Sequence, residues 1–125
     1  MSKIHIEVGS NLMVIEGAVN KPTLIGQFII DTGSTDCILT KEAAKIYGYK
    51  PRNAPVEVQG LNKLYQGEPV LLDSLTVSGI TVKNVASRIV DELPVSPKLS
   101  GIIGMSFLGQ VNFSVIGDQL MVSKR

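Results

Sequence analysis

A chain of 125 residues, 44% hydrophobic and 18% charged, has the size and balance of one globular domain covering 1–125. A formal net charge of +1 argues against a nucleic-acid or lipid-headgroup partner, and no apolar run approaches the roughly 18 residues of a membrane helix. One cysteine, Cys37, excludes an intrachain disulfide, and with the lone His5 it makes no tetrahedral zinc set, so neither metal nor cofactor is implied.

Lys3, His5 and Glu7 interrupt the opening segment, which therefore does not read as a secretory signal. A cytoplasmic location is expected, either for this chain alone or as the soluble part of a longer or anchored protein. Ile4, Ile6 and Val8 alternate with polar residues and predict a half-buried strand. Gly9-Ser10-Asn11 turns the chain, and residues 12–18 form a second strand. Asn20-Lys21-Pro22 turns it again. Residues 24–30 are apolar on both faces except for Gln27, the pattern of a buried strand. Thr40 can cap a helix over 41–47 that Gly48 stops. Strands follow at 56–59 and 70–75, on either side of a polar loop. Ser78-Gly79 predicts a short hairpin between 75–77 and 80–82. The stretch 91–100, with Pro94 and Pro97, reads as a surface loop. One helical turn is predicted over 105–108, and a last hairpin joins 113–115 to 120–122 through Gly117-Asp118. Many short strands with frequent turns and two short helices predict an all-β, closed barrel.

The strand over 24–30 runs straight into Asp31 in "FIIDTGST". A buried, unpaired carboxylate is costly, so Asp31 has either a partner or a chemical task. An ordinary strand-ending turn is the plain alternative, since Asp, Gly and Ser all form turns. Downstream, "GIIGMSFLGQVNF" places an apolar-apolar-glycine motif ahead of a short helix. A glycine-bracketed polar segment, "QGLNKLYQGEP", lies between the two motifs. In these three parts and their order, over about residues 12–122, the chain resembles the retropepsin-like aspartic proteases. The bacterial single-domain members are the nearer likeness, through "DTGSTDCILTKEAAKIYGY" and the "GMSFL" segment.

The resemblance implies a single-lobe retropepsin-like barrel and an aspartic-type endopeptidase acting on extended polypeptides. Asp31, Thr32, Gly33 and Ser34 correspond to the catalytic motif. Two carboxylates about 3 Å apart share one proton, one activating water while the other polarises the carbonyl. Thr32 would bond across the site, Gly33 would let the backbone approach, and Ser34 would donate to the carboxylate. That last bond predicts an acid-side optimum that moves up in Ser34→Ala. Asp36, Asp73, Asp91 and Asp118 are followed by Cys, Ser, Glu and Gln, so the chain holds one such motif. The second Asp31 must then come from an identical subunit, in a C2 homodimer, with segments 4–8 and 120–122 as candidate interface strands. The flap over 59–69 is expected to bring Gly60, Leu61, Asn62, Tyr65 and Gly67 to the substrate, with Asp36 and Ile103 beside them. Asp36 either contacts substrate or bonds nearby backbone. The rival function is a catalytically silent peptide-binding or dimerisation module with the same fold. A serine-hydrolase triad is disfavoured, because Ser106 lacks a nucleophile elbow and His5 an acid partner.

Overall fold

The computed structural model describes residues 2–6, 12–50, 67–91, 93 and 98–125. Ten strands and two helices follow in the order β1 (Ser2–Lys3), β2 (His5–Ile6), β3 (Met13–Val19), β4 (Ile25–Ile30), β5 (Cys37–Thr40), α1 (Lys41–Ile46), β6 (Glu68–Val77), β7 (Ile80–Val90), β8 (Gly101–Ile103), α2 (Met105–Leu108), β9 (Val111–Ile116) and β10 (Gln119–Lys124).

Six strands form a closed ring. The order β3-β4-β8-β5-β7-β6 returns to its start because Ala18 pairs with Thr76 and Val19 with Leu75. Closure removes the free edges that an open sheet would expose. β4 and β8 run parallel, with Phe28 opposite Gly101, Ile29 opposite Ile102 and Ile30 opposite Ile103. β5 runs parallel to β7 and antiparallel to β8. β2 extends the sheet beyond β3, and β1, β10 and β9 make a separate three-stranded sheet.

Alternation along the strands sorts the apolar residues onto two faces. Ile15, Phe28, Ile30, Leu39, Leu72, Leu75, Ile103 and Phe107 fill the larger core. Val14, Ile29, Ile38, Val90 and Ile102 point the other way and pack with Leu93 and Leu99. This is why 24–30 is apolar on both faces: Phe28 and Ile30 serve one core and Ile29 the other. It also corrects the reading of 91–100 as a surface loop, because Leu93 and Leu99 are buried.

Several predicted elements fall close to the observed ones. The strand over 12–18 is β3, that over 24–30 is β4, and the single turn over 105–108 is α2. The Thr40 hydroxyl accepts the Ala43 N–H at 3.1 Å, capping α1, and Gly48 ends it with φ +91°. The tight turn between β6 and β7 has positive φ at Ser78 and Gly79, as a type I′ hairpin demands. Two strands carry no legible signal and a third shows only its start. β5 and β8 are only four and three residues long. β7 runs well past residue 82, its pattern broken by Lys83, Asn84, Ser87 and Arg88. Near its middle the ladder passes from Leu72–Val85 to Ser74–Lys83, and Asn84 adopts φ +56°, a local kink. The strand predicted from Ile4 to Val8 divides: β1 pairs with β10, β2 with β3, and Ile4 between them is buried. The predicted strand over 56–59 lies outside the described residues.

Candidate active site

Asp31 is the first residue after β4, and its position is fixed by backbone bonds on both sides. Its N–H donates to the Ile103 carbonyl at 3.0 Å, and its own carbonyl accepts the Ser34 N–H at 3.2 Å. The carboxylate accepts the Gly33 N–H on Oδ1 at 2.8 Å. A Cβ at Gly33 would sit 3.1 Å from that oxygen, a crowding that glycine avoids. Asp31 is half-buried, while Thr32 and Gly33 are exposed, so the motif lies at the molecular surface.

Helix α2 braces the loop from behind. Its leading N–H groups have no partners within the helix. Met105 donates to the Ser34 carbonyl at 2.7 Å and Ser106 to the Thr35 carbonyl at 2.9 Å. Such close contact needs a small residue at the helix cap. A Cβ on Gly104 would lie 2.6 Å from the Ser34 carbonyl oxygen and closer still to that of Asp36.

Ser106 joins three segments. Its Oγ accepts the Cys37 N–H at 2.9 Å and donates to the Ala86 carbonyl at 2.7 Å. The Cys37 sulfur accepts the Gly104 N–H at 3.4 Å. Burial pushes the Cys37 thiol above its ordinary value of 9.0, which keeps it protonated and unreactive.

The structure places three of the expected site residues as follows. The Ser34 hydroxyl donates to the Asp36 carbonyl at 2.7 Å, not to the Asp31 carboxylate. The loop turns so that the hydroxyl closes a local ring two residues on. The Asp36 carboxylate is engaged within the chain: Oδ2 accepts from Arg88 Nε at 3.0 Å. Ile103 has its side chain in the barrel core, 1% exposed, because β8 alternates Ile102 outward and Ile103 inward. Its contribution to the site is the carbonyl that holds Asp31. Gly67 is buried against β7. Gly60, Leu61, Asn62 and Tyr65 lie outside the described residues.

Arg88 and Ser106 are the functional candidates that sequence reasoning missed. Arg88 had a visible signal, a charge beside the apolar Ile89-Val90. Ser106 had none, since one serine in a short helix is unremarkable. Among the described residues no cluster of three His, Cys, Asp or Glu could hold a metal ion. No helix among them is long and apolar enough to cross a membrane.

A buried strand that ends in Asp-Thr-Gly, with a glycine-led helix bracing the loop, stands on a retropepsin-like fold. The sequence profile of the family described as aspartyl protease matches residues 15–107, and the chain belongs to that family. A search of curated proteins by sequence finds no match. Among solved structures, a retropepsin-like aspartic protease from Rickettsia conorii is similar, with a TM-score of 0.68 and 24% identity over 98% of this chain and 90% of that one. The retroviral protease-like domain of Ddi1 from Leishmania major follows at TM-score 0.60 and 13% identity, covering 89% and 87%. The EIAV protease, solved with the inhibitor HBY-793, has a TM-score of 0.55 and 16% identity, covering 82% and 90%.

Proposed function

We propose that the chain is an aspartic-type endopeptidase whose site is completed by a second copy of itself. The observation that carries this reading is the Asp31 loop. Its carboxylate is held by Gly33, its backbone is tied to β8 and α2, and its outer residues are exposed. The chain supplies one such carboxylate where the chemistry requires two. A two-fold axis beside Asp31 brings the second. One proton is then shared, because two adjacent anions repel. The ionised Asp31 takes a proton from water as it attacks, and the protonated one donates to the carbonyl oxygen. Thr32, exposed beside Asp31, is assigned the bond across the axis. The substrate is a polypeptide bound extended, through backbone hydrogen bonds of the strand-addition type.

The test is cleavage of a denatured protein. The purified chain is expected to cut it, to lose that activity with a statine-type transition-state mimic, and to lose activity per chain on dilution. Asp31→Asn is expected to retain the fold and less than a few per cent of the rate, roughly the scale of losing a general base. Peptide binding without cleavage by the wild type would favour the silent module instead.

A further inference from the structure

We infer that Arg88 is a positioning residue that fixes the end of the Asp31–Asp36 loop against β7. Arg88 stands on β7, opposite Ile38 of β5 on one side and Pro69 of β6 on the other. Its Nε donates to Asp36 Oδ2 at 3.0 Å. Asp36 shares its six-residue loop with Asp31, and its carbonyl receives the Ser34 hydroxyl. One end of the side chain therefore holds the loop that carries the carboxylate. The other end lies under Gly67: a Cβ there would be 2.9 Å from Arg88 Cβ and 3.4 Å from Val90 Cγ1. That contact is with a Cβ, which any residue but glycine carries, so glycine at 67 sets how closely β6 begins against β7 whatever side chain stands at 88.

The guanidinium is drawn into the protein rather than left in water. Nη1 is sealed from solvent and has no hydrogen-bond partner among the described residues. A solvated surface ion pair incurs no such penalty and contributes little to stability. Side-chain exposures of 25% for Arg88 and 28% for Asp36 mark the pair as partly desolvated, where a fixed geometry is better defined than on an open surface. The consequence is local order in the Asp31–Asp36 loop, rather than global stability. The kinetic part of this inference rests on Asp31 being catalytic. The structural part does not.

The experiment is amide hydrogen exchange in the full chain, compared for wild type, Arg88→Met, Arg88→Lys and Gly67→Ala, with melting and turnover measured alongside. Arg88→Met is expected to speed exchange at residues 33–37 by on the order of tenfold, as for loss of one charge-assisted bond, while residues 67–70, which face only its retained Cβ, stay near wild type. The melting temperature and exchange in β3 and β10 should stay near wild type. Arg88→Lys should recover part of the protection, and Gly67→Ala, which presses on the Arg88 Cβ, should speed exchange at 67–70 more than at 33–37. In turnover, Arg88→Met should lower kcat more than it raises KM. Unchanged exchange at 33–37, an equal change at 67–70, or a uniform rise with a large melting shift would each overturn the inference. A wild type that cuts nothing would overturn the peptidase reading, with the exchange data still deciding the role of Arg88.

Discussion

Gly104→Ala isolates the packing between α2 and the Asp31 loop. Gly104 has φ −104° and ψ −167°, extended backbone that alanine adopts without strain. Any cost is therefore steric. The added carbon would lie 2.6 Å from the Ser34 oxygen, whereas ordinary contact begins at 3.4 Å, so loop and helix must separate by roughly 1 Å. Overpacking of that kind costs about 1–3 kcal/mol. The bonds from Met105 to Ser34 and from Ser106 to Thr35 would stretch, at about 1 kcal/mol each. Together these give about 3–5 kcal/mol, a large share of a total stability of about 5–15 kcal/mol. The melting temperature should drop by on the order of 10–15 °C. A loop displaced by about 1 Å should also lose on the order of a hundredfold in turnover. Gly48→Ala is the control: Gly48 has φ +91° and open space around it, so its cost is backbone strain alone, about 1–2 kcal/mol. The assay is urea denaturation at one protein concentration, with kcat/KM on a denatured protein substrate. Gly104→Ala within about 1 kcal/mol of wild type would refute the claim that this glycine sets the loop.

Other expectations follow from the same geometry. Ser34→Ala should cost about 1 kcal/mol by losing the bond to the Asp36 carbonyl, and should leave the pH–rate profile in place; a profile shifted to higher pH would restore Ser34 as a direct partner of Asp31. Stability should fall in alkali. Burial raises the Cys37 thiol above 9.0 and the Tyr47 phenol above 10.0, so the folded state holds protons that the unfolded state releases first. That contribution is complete below the ordinary values and is lost as pH climbs through the raised ones. Denaturation across alkaline pH should therefore show a declining slope, shallower in Cys37→Ala, and a flat profile would count against it.

The parts of the fold legible in the sequence are those where one segment carries its own signal. β3 and β4 have apolar runs bounded by the Asn20-Lys21-Pro22 turn. Thr40 and Gly48 mark both ends of α1, and Ser78-Gly79 is a turn whose φ values few residue pairs allow. β5 and β8 carry no such mark. Each is held by its neighbours, with Ile38 opposite Ile102 and Ile103 opposite Ile30, and a three-residue strand has no period to detect. The site divides in the same way. Asp31 and Gly33 stood out, because a carboxylate after a buried strand needs an explanation. The destination of the Ser34 hydroxyl did not, because two acceptors lay within a few residues and only the loop's turn chooses between them. The Asp36–Arg88 pair spans 52 residues, and nothing local in the sequence connects them. Ser106 likewise gains its role from Cys37 and Ala86, which tertiary folding brings to it.

The central claim is that one site uses two copies of Asp31, and mixed dimers test it most directly. Wild-type chain at fixed concentration is mixed with increasing Asp31→Asn chain under conditions where subunits exchange, with mixed dimers verified by mass. Random pairing predicts that wild-type activity falls to about one half with one equivalent of variant and about one tenth with nine, since only wild-type pairs hold both carboxylates. Wild-type activity that stays constant while mixed dimers form would show that one Asp31 suffices, and would contradict the account.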